Sequence, residues 1–238
     1  MTFKVLGSGS SGNCYLLEHN GDVLILDCGI PVKDIKIGLD FNISNVVGCA
    51  ITHSHADHNK SVEDLKKMGI RTVEFYQIED WSDEKYKHFC VGFGNFVVKP
   101  FPLPHNGIIN YGFLITDRER KEKTLYLTDF EYCKYNFKSL GVNHIFIECN
   151  YQQDLVARDL PNYEHKTRGH CSLDTCKGFI QANVTNNLKT VVLLHMGKET
   201  TIPEECVTTI KEVVNPNVCV DYAHKGLNIE LKTEACPF

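Results

Sequence analysis

The stretch His53-Ser54-His55-Ala56-Asp57-His58 gathers three imidazoles and one carboxylate into consecutive positions. A neutral imidazole offers an in-plane lone pair and a carboxylate a hard oxygen, so the set suits zinc-like divalent cations. His53 and His55 lie two apart and project the same way from an extended segment. Asp57 and His58 need a turn to aim elsewhere, which serves two neighbouring metals better than one. The plain alternative is a polar surface loop that happens to be rich in histidine. Against it, the cluster follows the apolar run Val46, Val47, Cys49, Ala50 and Ile51, which anchors it on a rigid element.

The elements that must carry such ligands can be followed along the chain. Val5-Leu6 leads into the polar loop Gly7 to Asn13. Cys14 to Glu18 and Val23 to Leu26 read as a hairpin around Asn20-Gly21-Asp22. Pro31 opens a helix to Leu39, and Val46 to Ile51 is a buried strand. Ser61 is expected to cap a helix through Met68 that stops at Gly69. Arg71 to Tyr76 reads as a strand, and 77–95 is polar and ambiguous. Phe96 to Leu103 and Tyr111 to Thr116 are expected strands on either side of His105. Thr124 to Leu127 and Ile145 to Ile147 are further strands.

The second half is more helical. Ser172 caps a helix to about Val184 with Leu173, Cys176, Phe179 and Ile180 on one face. Leu188 to Leu194 is a buried strand, Pro203 opens a helix to Val213, and Val218 to Val220 and Leu227 to Leu231 close the pattern as strands. The order predicts an α/β fold of two sheets with helices outside, a four-layer αββα sandwich. Asp27, His53, Asp129, Glu148 and His195 each end or follow a strand-like apolar run. Strand ends hold side chains rigidly while loops give access, so these residues are expected to build one site.

Composition sets bounds. With 238 residues, 42% of them hydrophobic, the chain can bury a sizeable core, and it is read as one domain over 1–238. No stretch approaches a membrane span, and Met1 to Leu6 reads as a strand rather than a signal peptide. The 11 cysteines are odd in number and scattered, without a Cys-x-x-Cys pair. Cys14, Cys49 and Cys219 fall in apolar runs, which suggests reduced core thiols in a cytoplasmic protein. Net charge is −5, and the basic patches at Lys66-Lys67 and Arg118 to Lys123 are interleaved with acids. That balance argues against a long nucleic-acid partner, which usually demands a basic stripe.

Taken together, these residues resemble the metallo-β-lactamase fold superfamily of metallohydrolases. The His-x-His-x-Asp-His signature is complete at 53–58, and the remaining markers follow in family order. They are Asp27 after the early hairpin, His105 in Leu103-Pro104-His105-Asn106, Asp129 in Leu127-Thr128-Asp129, and His195 in Leu194-His195-Met196-Gly197. Gly169-His170-Cys171-Ser172 before a helix is similar to the extra histidine motif of tRNase Z, which marks the phosphodiesterase branch. Glu148 resembles the glutamate that orients that histidine. The opening Gly7-Ser8-Gly9-Ser10-Ser11-Gly12-Asn13 looks most like the YycJ/WalJ group, whose members are exonucleases. Phage anti-Pycsar enzymes, which hydrolyse cyclic nucleotides, look much the same. The chain departs from the common pattern at Asn59-Lys60-Ser61 and at Met196 to Glu199, where no ligand is lost.

The resemblance implies two Zn2+, with Mn2+ able to substitute. One would take His53, His55 and His105, the other Asp57, His58 and His195, with Asp129 between them. Such a pair sharpens a water for in-line attack at phosphorus. Asp27 would hold the 53–58 loop by hydrogen bonds. His170, oriented by Glu148, would protonate the leaving oxygen, which with Asp57 completes the expected catalytic group. Taken alone, His105 could be a loop histidine, His195 a core histidine, and His170 an ordinary helix-start residue. Tyr111, Phe113, Phe130 and Tyr151 could stack on a base or sit in the core. Lys166 and Arg168 could meet a phosphate or be solvated. His19, His88, His144, His165 and His224 match no motif position and are taken as structural or exposed.

The favoured substrate is a 3′,5′-cyclic nucleotide, met in the cytoplasm of a bacterium or phage-infected cell, with a homodimer expected from the resemblance. Three other readings stand beside it. One is a nuclease acting on DNA or RNA ends; another is a thioester or lactone hydrolase on the same fold. The last is a binding module that sequesters a nucleotide.

Overall fold

The structure is a computed structural model that describes residues 1–78, 89–157 and 163–231. Alternating side-chain direction, with both faces buried in the central strands, explains its layers. In the strands β1 (Thr2–Gly7), β2 (Cys14–His19), β3 (Asp22–Leu26), β4 (Val46–Ile51) and β5 (Thr72–Glu74), successive side chains point to opposite faces. Leu24, Leu26 and Ala50 face one way, while Ile25, Cys49 and Ile51 face the other and pack against Ile35, Val62 and Leu65. Those three come from α1 (Val32–Gly38) and α3 (Val62–Lys67), which follow β3 and the short α2 (Ala56–Asn59).

The second sheet repeats the arrangement. It runs through β6 (Val91–Phe93), β7 (Phe96–His105), β8 (Ile108–Asp117), β9 (Lys123–Leu127), β10 (His144–Glu148), β11 (Thr190–Leu194) and β12 (Cys219–Tyr222), in reverse sequence order across the sheet. The first sheet is completed at its other edge by β13 (Asn228–Glu230), in the order β13-β1-β2-β3-β4-β5. Tyr126, Phe146, Val192 and Leu194 look inward at the first sheet. Leu125, Ile145, Ile147 and Leu193 look outward at Phe179, Ile180 and Ile210. Those partners belong to α5 (Leu173–Asn183) and α6 (Pro203–Lys211), which follow α4 (Tyr163–Gly169). Helix, sheet, sheet, helix is the expected α/β sandwich.

Both sheets change from antiparallel to parallel pairing. β1–β2–β3 are antiparallel and β3–β4–β5 parallel; β6 to β9 are antiparallel and β9 to β12 parallel. The carboxyl ends of the parallel strands therefore open on one edge of the sandwich, the usual place for a ligand site in α/β sheets. The Asn20-Gly21 turn has φ of 49° and 85°, the left-handed pair that a tight hairpin needs.

Several expectations are corrected. Ser61 precedes α3 but makes no capping bond; its hydroxyl donates to the Ile30 carbonyl at 2.6 Å instead. The strand expected over Arg71 to Tyr76 shrinks to Thr72–Glu74 and gives way to a 3-10 turn. Cys219 is exposed, because β12 is an edge strand. Helix α4 is absent from the sequence reading, since Tyr163 to Gly169 carries no clean apolar stripe. Of the ambiguous 77–95, residues 91–93 form β6, while His88 lies outside the described residues, as does the side chain of His165. Ser172 caps α5 as expected, accepting from the Thr175 amide. Among the described residues the cysteines are free, and no helix is long and apolar enough to cross a membrane.

The sheets meet at a stack of Phe3 on Phe146, with ring centroids 4.0 Å apart and both side chains fully buried. Phe146→Ala is expected to cost about 3–5 kcal/mol of stability, read as a fall in the denaturant midpoint. A loss below about 1 kcal/mol would show that the inter-sheet core does not depend on this stack.

Candidate metal centre

Asp27, His53, Asp129, Glu148 and His195 stand at or just beyond the carboxyl ends of β3, β4, β9, β10 and β11. Three of them occupy left-handed backbone: Asp27 at φ 56°, Asp129 at 53° and His195 at 46°. Residues with a Cβ adopt that region at a cost of about 1–3 kcal/mol, so the surrounding structure must impose it. Each is locked by local bonds. Asn110 donates from Nδ2 to the carbonyls of Thr128 and Asp129, and Asn150 from Nδ2 to the His195 carbonyl. The His195 amide donates to Ser8 Oγ at 2.9 Å.

The rings converge. His53 lies 4.7 Å from His55, 4.2 Å from His58 and 4.9 Å from His105, centroid to centroid. His195 lies 5.8 Å from His58 and 5.3 Å from His170. Residues distant in sequence thus meet. His53, His55, His105 and Asp129 offer ligand atoms to one point, and Asp57, His58 and Asp129 to a second. His195 is the less simple member. Its Nδ1 lies 2.6 Å from Asp129 Oδ1 and 3.1 Å from Glu148 Oε1, which groups it with Glu148 and His170. Its Nε2 instead looks toward Asp57 Oδ2, 4.0 Å away.

Hydrogen bonds fix which ring nitrogen faces inward. His105 Nδ1 donates to the Gly169 carbonyl at 2.6 Å, and His58 Nδ1 to Asp27 Oδ2 at 2.8 Å. His53 Nδ1 pairs with Thr52 Oγ1, whose own hydroxyl donates to Asp27. In each ring the Nδ1 proton is spent on an oxygen, so the Nε2 lone pair is left for a cation. His53 Nε2 and His195 Nε2 are buried and have no hydrogen-bond partner among the described residues. Two orphaned imidazole nitrogens beside carboxylates are costly in a dry interior and fit a divalent ion.

Asp129 sits between the two groups. Its Oδ1 is 3.3 Å from His58 Nε2 and its Oδ2 3.9 Å from His53 Nε2. Glu148 is fully buried and spends one oxygen on the Phe130 and Cys171 amides. The other takes His170 Nδ1 at 2.8 Å. His170 is more open than its neighbours, at 14% side-chain exposure, on the rim of the cluster.

Electrostatics divide the rings. Burial, aided by the charge on His58, pushes His53 well below the ordinary imidazole range, and burial lowers His105. Burial also opposes charge on His58 and His195, but Asp129 with Asp27 or Glu148 prevails. His58 is raised, and His195 is pushed up to about 10. Asp129 is held low against its burial by His195 and His58. Burial thus favours the neutral, ligating form of His53 and His105, while the neighbouring carboxylates favour charge on His58 and His195.

Sequence reading missed the supports. Asn13 Nδ2 reaches His58 Nε2 at 2.9 Å, and its amide donates to the Asp57 carbonyl. Tyr126 donates from its hydroxyl to Asp27 Oδ2 at 2.7 Å. Asn13 ends the glycine-serine motif, which was a signal; a single tyrosine in a strand was not. Gly29 admits the crossing of this loop under the ligands, since a Cβ there would fall 1.7 Å from the Asp57 carbonyl oxygen. Tyr111, Phe113, Phe130 and Tyr151 are all buried, which is the core reading. So is His144, beside Glu122, while His224 is exposed.

A model of the metallo-β-lactamase superfamily matches residues 7–100. The exodeoxyribonuclease YycJ of Bacillus anthracis is 24% identical over 238 residues, covering 89% of this chain and 88% of that protein. The metallo-β-lactamase fold protein YhfI of Bacillus subtilis superposes with a TM-score of 0.70 at 16% identity, over 96% of this chain and 98% of its own. The short form of human tRNase Z gives 0.64 at 15% identity, over 98% and 100%. The chain thus has the metallo-β-lactamase fold.

Two outcomes are expected from this geometry. Asp27→Ala should weaken divalent-metal affinity by about 10–100-fold, measured by chelator competition, because it frees both His58 and Thr52. Loading metal near neutral pH should release the His195 proton, counted by calorimetry in buffers of differing ionisation enthalpy. Apparent affinity should then climb as pH rises towards 10, where His195 loses its proton unaided. Loading without proton release would contradict the assignment.

Proposed function

We propose that this chain is a dinuclear, metal-dependent phosphodiesterase acting on nucleotides. His53, His55 and His105 would hold one cation, Asp57, His58 and His195 the other, and Asp129 both. The nitrogen-rich donor set suits zinc, and manganese can replace it. Bound there, the pair supplies Lewis-acid activation of water and neutralises charge at phosphorus.

The remaining roles belong to side chains. Asp27 and Thr52 keep the ligand rings in one tautomer. Glu148 holds the Nδ1 edge of His170, so the ring's Nε2 carries the proton passed to the leaving alkoxide. Asp57 orients the second metal position from the turn of α2. The observation that carries the reading is this His170–Glu148 pair, set on the rim of a His/Asp cluster in which two imidazole nitrogens have no hydrogen-bond partner among the described residues. A leaving-group acid next to such a cluster serves phosphodiester cleavage better than thioester or lactone hydrolysis, where a thiolate or tethered alcohol departs more easily.

The preferred substrate is a 3′,5′-cyclic nucleotide, as for anti-Pycsar phosphodiesterases. Support comes from the net charge of −5. We take residues 1–238 as one functional domain that works in the cytoplasm as a homodimer. A second reading, cleavage of DNA ends, is favoured by the match to YycJ along most of both chains.

Purified protein loaded with zinc or manganese is expected to hydrolyse cyclic nucleotides, to stop on chelation and to recover on metal return. His170→Ala should lower kcat by about 10²–10⁴-fold with metal content unchanged. A panel of cyclic mononucleotides, cyclic dinucleotides and short oligonucleotides separates the readings. Salt-sensitive degradation of DNA alone would transfer the conclusion to the second. No turnover of any phosphodiester would overturn both.

A further inference from the structure

Beside the metal cluster lies a pocket of about 490 Å³ between the loop Ser8 to Ser11 and the loop Met196 to Thr200. Helix α4 reaches it with one side chain, Lys166, one turn before His170. The ammonium is fastened on two sides: it donates to Asn150 Oδ1 at 2.9 Å and to Thr200 Oγ1 at 2.9 Å. Both acceptors are neutral. Among the described residues no carboxylate lies within ion-pair distance of it, although Glu199 lines the same pocket. An ammonium has three donors, and two are spent here.

A half-buried cation without a counter-ion is an uncommon arrangement, because charges removed from water are usually paired. Burial lowers the Lys166 pKa from the ordinary lysine value, with Glu148 and Glu199 acting in the opposite direction. The clamp is tied to the metal site: Asn150, which accepts from Lys166, donates to the His195 carbonyl at 2.9 Å. Across the pocket, Ser10 and Ser11 are exposed hydroxyls on a loop pinned by the Gly9 amide to Asn13 Oδ1. Lys198 adds a second, exposed cation.

We propose that Lys166, with the Ser8–Ser11 loop, forms a second anion subsite that takes a phosphate group of the substrate other than the one being cleaved. This rests on the phosphodiesterase reading and shifts its substrate from a cyclic mononucleotide to a diester with a second phosphate. Among nucleotide phosphodiesters, those carrying a second phosphate one nucleotide away, such as a cyclic dinucleotide or a 5′-phosphorylated dinucleotide, fill both the metal cluster and the pocket. A simple diester fills only the first.

The experiment compares holoenzyme and Lys166→Met on two probes, a cyclic dinucleotide and bis(p-nitrophenyl) phosphate. Melting temperature and metal content are checked for both proteins. The substitution is expected to raise KM for the dinucleotide by about tenfold or more, the worth of one charge-assisted hydrogen bond. Its kcat, and both constants for the simple diester, should stay unchanged. Lys166→Arg should recover most of the loss. An equal effect on both probes, or none on either, overturns the subsite. If neither probe is turned over, the phosphodiesterase reading fails by itself. Calorimetric binding of a 5′-phosphorylated dinucleotide then decides the subsite separately: weaker binding to Lys166→Met supports it, and equal binding sinks it. Ser10→Ala with Ser11→Ala, on an exposed loop, gives a second variant should Lys166→Met fail to fold. It should weaken dinucleotide binding without touching the simple diester, and no change in that binding counts against the loop's part.

Discussion

The buried carboxylate of Asp27 is the point on which the rest of the site depends. It accepts from the Thr52 amide and hydroxyl, from His58 Nδ1 and from the Tyr126 hydroxyl. The first three belong to the ligand loop after β4. The fourth comes from β9 in the opposite sheet. A single anion therefore sets the tautomers of two ligand rings and joins the two halves of the sandwich at their open edge. Few groups could do this. An ionised carboxylate has about four lone-pair sites, and here each donor finds one. Its burial is tolerable only because those donors replace its water.

The same logic extends outward. Asp27, Asp129 and Glu148 are all essentially sealed from solvent within one small volume. Three carboxylates so placed would repel one another and unfold the edge unless positive charge met them. In the metal-free chain the protonated rings of His58 and His195 supply part of it. Divalent cations supply it better, and they also satisfy the orphaned nitrogens of His53 and His195. The left-handed backbone at Asp27, Asp129 and His195 belongs to this economy of charge. Each residue turns out of its strand at once, which lifts the side chain over the sheet edge instead of into the core.

Around this centre the chain presents two unlike surfaces to a ligand. On one side His170, held by Glu148, stands at the rim of the cluster. On the other lie the glycine-serine loop and Lys166. Helix α4 connects them, since it carries Lys166 and ends at Gly169, whose carbonyl accepts from His105. The carbonyl that holds one ligand ring, the residue preceding the rim acid and the half-buried cation thus lie on one short element. A shift of that helix would alter all three together, which makes it the natural place for substrate preference to be set on an otherwise common fold.

Much of this was legible in the sequence. The packed 53–58 cluster, the strand-end positions of Asp27, Asp129, Glu148 and His195, and the apolar runs of β3, β4 and β10 are local patterns of residue type. Such patterns survive without knowledge of the fold. The Ser61 cap was misread because a hydroxyl can satisfy a carbonyl of another loop as readily as its own helix. Helix α4 was missed because its stability comes from what it packs on, not from an apolar stripe of its own. The sequence by itself determined the donor set and the sheets that would carry it. Tertiary structure alone decided that Tyr126 reaches Asp27, that Ser8 meets the amide of His195 across 187 positions, and that Lys166 is held by the neutral acceptors of Asn150 and Thr200. The reason is physical: periodicity fixes which face a side chain takes, whereas a contact between distant segments depends on how two twisted sheets come to rest against each other.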